Sequence, residues 1–102
     1  MKILDKISDY IHEEIHDADK YVRAALVYKE EYPEIAETFY VLSVEEVSHV
    51  QILHNAAIQI ITRYKKENGE PPKDMLAIYN YVHKKLIDEE KEVKILQNMY
   101  KE

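Results

Sequence analysis

Three glutamates and one histidine draw attention because of the residues around them. Glu14 falls between Ile11 and Ala18 in a series of apolar positions, Glu46 and His49 interrupt a second such series, and Glu89 a third. Glu46-Val47-Ser48-His49 sets a carboxylate and an imidazole three residues apart, which puts them on adjacent edges of one helical face. Glu89-Glu90-Lys91-Glu92 repeats the spacing with two oxygen donors. The chain has no cysteine, so disulfides, thiolate catalysis and iron–sulfur or zinc-finger ligation are excluded, and imidazole and carboxylate remain as the strong metal ligands. A carboxylate turned inward is costly unless it takes up a proton, pairs with a cation or binds a metal. Helix bundles that hold two metal ions use single Glu side chains and Glu-x-x-His pairs for this purpose. The candidate ligands are therefore Glu14, Glu46, His49, Glu89 and Glu92.

Those residues need long helices to carry them. With one Gly and three Pro in 102 residues, the chain lacks the punctuation that strands and tight turns require, and all-α is the expected class. Only two places break the pattern: Glu31-Tyr32-Pro33, and the stretch from Glu67 to Asp74 that contains Asn68-Gly69 and Pro71-Pro72. The chain is expected to form one domain over residues 1–102, with helices over about 3–30, 34–66 and 73–100. Spacings of three and four give each helix one apolar stripe. They are Leu4, Ile7, Ile11, Glu14, Ala18, Tyr21, Ala25, Tyr28; then Ile35, Phe39, Leu42, Glu46, His49 or Val50, Leu53, Ala57, Ile60, Tyr64; then Met75, Tyr79, Val82, Leu86, Glu89, Val93, Leu96, Tyr100.

Both connections are short, and an extended chain covers only ~3.3 Å per residue, so the helices must run up, down and up. Counted from the first turn, Glu14 lies about as far back as Glu46 and His49 lie forward. From the second turn, Glu46 and His49 stand roughly level with Glu89 and Glu92 at ~1.5 Å per residue. All five side chains are expected in one layer. No Lys or Arg falls on the stripes at that level, since Lys20, Arg23 and Lys91 point elsewhere by helical angle. The expected counter-charge is a bound metal. Carboxylate-rich ligation suits iron or manganese better than copper.

Residues 14 to 53 resemble the first half of a rubrerythrin-type, ferritin-like domain. The features that carry the resemblance are Glu14 with Tyr21 seven residues on, the Lys- and Glu-rich turn before Tyr32, Glu34-Ile35-Ala36 with Phe39, and Glu46-x-x-His49. The third helix resembles the family's third in its Glu-x-x-Glu, Glu89 and Glu92. The resemblance implies a di-iron centre ligated by Glu14, Glu46 and His49, with manganese or zinc as substitutes. It implies Fe(II) oxidation and iron handling, or peroxide reduction, as the oxidoreductase activity. Two departures stand out: the short second turn replaces the family's long crossover, and the fourth helix with its own Glu-x-x-His is missing. Either one chain binds metal with four carboxylates and one His, or a second chain completes the bundle. The second helix carries Tyr40, Val41, Val44, Val47, Ile52 and Ile58 off its main stripe, and a helix apolar nearly all round is normally buried. A homodimer or higher oligomer with that helix at the interface is expected. The alternative is a non-catalytic helical interaction module whose metal site is vestigial.

The remaining signals are plainer. His12-Glu13-Glu14-Ile15-His16 matches the zinc-protease pattern H-E-x-x-H, but both histidines point away from the stripe that holds Glu14, so a solvated face is expected. His54 and His83 fall off the stripes and read as surface or interface residues. Asp17 is a candidate to support a ligand, and Tyr21 to hydrogen-bond one, as the resemblance allows. Nine tyrosines suit a bundle core and its interface. The formal charge of −6 opposes binding to nucleic acid or anionic lipid. No signal region opens the sequence and no apolar run approaches the ~20 residues that span a bilayer, so a cytoplasmic protein is expected.

Overall fold

The computed structural model describes residues 2–102, with Ile78 described by its backbone alone. Met1, where the expected domain begins, lies outside the described residues. Three helices make up the fold: α1 (Lys2–Tyr28), α2 (Pro33–Asn68) and α3 (Lys73–Lys101). No strand occurs among the described residues.

Local chemistry sets the turns. The Tyr32 N–H donates to the Tyr28 carbonyl and the Ala36 N–H to the Tyr32 carbonyl, both at 2.8 Å, which ends α1 two residues before Glu30 and starts α2 at once. Pro33 occupies the first turn of α2, where a missing N–H leaves no helical bond unmade. Lys65 and Lys66 lie in the last turn of α2, where positive charge complements the carbonyl end of the helix dipole. Gly69 follows at φ 79° and ψ −161°, a region that is essentially open to glycine alone, and its N–H closes on the Lys65 carbonyl at 3.0 Å.

The packing seams keep part of the expected stripes and depart from them by one residue elsewhere. On α1 Leu4, Ile7, Ile11, Ala18 and Ala25 are buried as expected, with Ile15 and Val22 in place of Glu14 and Tyr21. On α2 Val50 and Ala57 are buried as expected, with Ala36 and Ser43 in place of Ile35 and Leu42, and Glu46 lies off the seam. Seven-residue spacing on α2 recurs in Leu86, Val93 and Tyr100 of α3, the interval at which side chains return to one face of a wound helix. The reason for the departure is size. Small residues let the axes of α1 and α2 approach, and the larger Leu42, Glu46 and Leu53 flank the line of contact, half-buried.

α1 packs most extensively on α2, less on α3, and α2 and α3 touch least. Glu14 lies beside His49 and Ala18 beside Ser43, so α1 and α2 run antiparallel. Gln97 reaches Ser43 and Tyr100 reaches Glu37, so α2 and α3 do as well. The molecule measures 56 × 19 × 17 Å, and its length is that of α2, whose 36 residues span ~54 Å. Among the described residues no helix is long and apolar enough to cross a membrane.

Candidate metal centre

The antiparallel pairing of α1 and α2 brings Glu14, Glu46 and His49 together. One potential ligand atom from each lies within 4.8 Å of the other two. His49 Nδ1 stands 3.3 Å from Glu14 Oε2 and 3.6 Å from Glu46 Oε2. Because Ile15 and Val50 are the buried neighbours of Glu14 and His49, the three sit on the flank of the α1–α2 contact and not at its centre. Their side chains are 29%, 18% and 51% exposed respectively, so the carboxylates have buried backs and the imidazole faces out. No lysine or arginine pairs with any of them among the described residues.

One turn away, a polar contact fixes the geometry. The buried Ser43 hydroxyl donates to the Ala18 carbonyl at 2.7 Å and accepts from the Gln97 amide at 2.9 Å. Ala18 is four residues from Glu14 and Ser43 three from Glu46, so this link holds both carboxylates at one height across the helix pair. Ser43 does not stand out in the sequence by residue type. Its signal was its place in the seven-residue series Ala36, Ser43, Val50, Ala57, which ranking positions by hydrophobic size does not reveal.

Glu89 and Glu92 lie outside the group, which corrects the expected five-residue layer. Glu89 faces His12, its Oε2 3.7 Å from His12 Nδ1, and Glu92 is exposed. Both line a shallow groove between α1 and α3 with His16, Asp19 and Arg23. The cause is azimuth. Equal height along an axis does not put side chains on one side of it, and Glu14 and His12, two residues apart, point ~160° from each other on α1. α2 and α3 contact different faces of that helix. His12 therefore belongs to α3's side and His16 is exposed, away from Glu14. Asp17 pairs with Lys20 at 3.6 Å, and the Tyr21 ring stacks on Phe39 with centroids 6.4 Å apart.

His54 and His83 also depart from expectation. They are half-buried and stack on each other between α2 and α3, with centroids 4.5 Å apart and planes 20° from parallel. Burial lowers the His54 pKa below its ordinary value, the charge of His83 lowers it further, and the carboxylate of Glu90 opposes both.

The fold and site define an all-helical protein with a half-open Glu2His group on one helix pair. Comparison with protein-family models, with curated proteins and with solved structures gave no match.

Proposed function

We propose that the chain is a ferritin-like, iron-binding protein that holds Fe(II) at Glu14, Glu46 and His49, and that two copies joined through α2 bring two such groups into one di-iron centre for Fe(II) oxidation. The observation that carries this reading is the convergence of the three ligand atoms within 4.8 Å on a flank that one chain leaves open. The donor set fits the metal: two carboxylates and one imidazole suit iron or manganese, with zinc as a substitute.

Each side chain has a definite part. Glu14 and Glu46 supply the negative charge that offsets the ion, and their buried backs limit the motion of the oxygens. His49 gives a neutral donor, and its exposure leaves positions for an oxidant or a second ion. Bound Fe(II) supplies the electrons that reduce dioxygen or peroxide.

The proposed partner is a second copy. Among Thr38 to Thr62 of α2 the only charged side chains besides histidines are Glu45 and Glu46, whereas Ile35, Val41, Val44, Ile52 and Ile58 are exposed. On α1, Tyr10 and Tyr28 share Glu14's edge by helical phase and are exposed too. By helical phase Ile35 lies beside Glu46 and His49, and Val41 and Ile52 adjoin His49, whereas Val44 and Ile58 point away; apolar side chains bordering a polar group are the pattern of an interface core. A copy placed there would supply the missing Glu-x-x-His.

A second reading has its own support. His49 already stands within ion-pair distance of both carboxylates, so a protonated imidazole neutralises them in part without a metal, as a non-catalytic interaction module would require. Anaerobic loading with Fe(II) followed by exposure to oxygen separates the two. The wild type is expected to oxidise iron faster than either Glu46→Ala or His49→Ala by at least about 10- to 100-fold, the loss typical when a group supporting a metal ligand is removed. Equal rates in all three would leave the interaction module standing.

A further inference from the structure

The first half of α3 is held loosely. A cleft of about 170 Å³ opens between it and α2, and another of about 640 Å³ between it and α1. Among the described residues of 73–88 only Leu86 is buried, and none makes a hydrogen bond or ion pair with α1 or α2. The polar ties of α3 lie further on: Glu89 to His12, Gln97 to Ser43, and Tyr100 to Lys29 and Glu37. What the first half presents to α2 is His83, whose ring stacks on that of His54 with centroids 4.5 Å apart and planes 20° from parallel. Tyr79 continues the stack, 5.8 Å from His83. Few other groups face the two imidazoles. α3 adds Glu90, which is paired with Lys94 at 3.3 Å, while α2 adds the neutral Gln51 and α1 the neutral Ser8. Asp5, Asp9, His12, Asp74 and Lys85 line the other cleft.

We propose that the stacked pair is an acid-sensitive latch: with both rings neutral it holds residues 73–88 of α3 against α2, and with both protonated their repulsion releases that stretch while the ties beyond it keep the rest of α3 in place. Two like charges at this separation repel strongly where protein excludes part of the water. Glu90 offsets that repulsion only in part, because Lys94 shares its charge. An imidazole free in water takes up its proton at about pH 6.5. In the closed form burial lowers the proton affinity of His54, the charge of His83 lowers it further, and Glu90 opposes both. A histidine whose affinity is lowered in one form stabilises that form above its ordinary value, and the stabilisation is lost as pH falls below it. Release therefore belongs to the acid side of about pH 6.5, and it uncovers Ile11, Val50, Val82 and Leu86, which line the cleft. Glu14, Glu46 and His49 are not part of the latch: His54 is five residues beyond His49, ~7.5 Å along the axis and ~140° around it.

The test is amide hydrogen exchange on the full chain at pH 7.5 and pH 5.0, read peptide by peptide and corrected for the intrinsic pH dependence of exchange. Protection of residues 73–88 is expected to fall at least about tenfold at the lower pH, while α1 and residues 90–101 keep theirs. His54→Phe and His83→Phe each retain an aromatic ring in the stack and remove one of the two charges, so either should abolish the fall. The wild type supplies a check that needs no variant: in about 1 M NaCl, where the screening length shrinks to about 3 Å, protection at pH 5.0 should recover. Equal protection of 73–88 at the two pH values would overturn the proposal. So would a loss spread evenly over all three helices, which is general acid unfolding, an equal fall in both phenylalanine variants, or a fall that high salt leaves unchanged.

Discussion

Ser43 is fully buried yet polar, and its hydroxyl links all three helices: it gives its proton to Ala18 of α1 and takes one from Gln97 of α3. Replacing it by alanine removes only the hydroxyl and leaves a carbonyl and an amide without a partner. Ser43→Ala is expected to lower stability by about 1–3 kcal/mol, read as a shifted midpoint in urea unfolding. Tyr100 is the other consequential single residue. Its hydroxyl donates to Glu37 at 2.8 Å, its carbonyl accepts from Lys29, and its ring stacks on Tyr40 with centroids 4.7 Å apart. Burial first, then the hydrogen bond and charge of Glu37 and the nearby Tyr40, raise its pKa above the ordinary 10.0. A group whose folded pKa is raised keeps its stabilising effect below the unfolded value and loses it as pH climbs through the folded one. Helix content followed from about pH 9 to about pH 12 should therefore fall above pH 10, and Tyr100→Phe should flatten that fall. A fall of equal steepness in the variant would assign the alkaline transition to other groups.

Among the elements, α2 carries two of the three proposed iron ligands, the helix pairing and the proposed interface. Its end depends on Gly69, whose φ of 79° no side chain adopts easily although a Cβ there would meet nothing within 4 Å. Gly69→Ala is thus a test of backbone strain alone. It should cost about 1–3 kcal/mol by thermal unfolding, and no change would mean that the turn relaxes freely. The helices and their turns were legible in the sequence because Pro33, Gly69, Pro71 and Pro72 are the chain's only breakers. The nearness of Glu14 to Glu46 and His49 was legible too, because a short antiparallel turn fixes height and the Glu-x-x-His spacing fixes the face. Glu89 was not, because height says nothing of azimuth once α1 lies between its two neighbours. Nor was the true seam of α2: reading by apolar bulk chose Ile35 and Leu42, whereas closest approach selects their small neighbours Ala36 and Ser43. His54 and His83 looked peripheral on separate stripes, and their stacking follows from how α2 and α3 are set, which no single helix encodes.

For the whole molecule, a rod of 56 × 19 × 17 Å leaves much of its apolar surface on the outside, and on α2 Ile52 is 64% exposed. Ile52→Glu should convert a dimer to a monomer in light scattering with helix content preserved; a wild-type chain of 12.2 kDa that already runs as a monomer would remove the two-chain centre from the proposal. Metal binding should also be visible globally, since an ion that binds only the folded state adds about 2.7 kcal/mol at about 100 times its Kd, and Glu46→Ala should abolish the corresponding rise in melting temperature with Fe(II). The seven-residue spacing of the buried positions carries a hazard that the hydroxyl in their midst removes. Were α1 to slide by one such interval along α2, Ala18 would meet Ala36 or Val50, apolar contact would be nearly conserved, and packing alone would tolerate the slip. Neither of those residues can satisfy the Ala18 carbonyl, so a single oxygen atom makes one alignment of the rods the lowest in energy. It is also the alignment that keeps Glu14 level with Glu46.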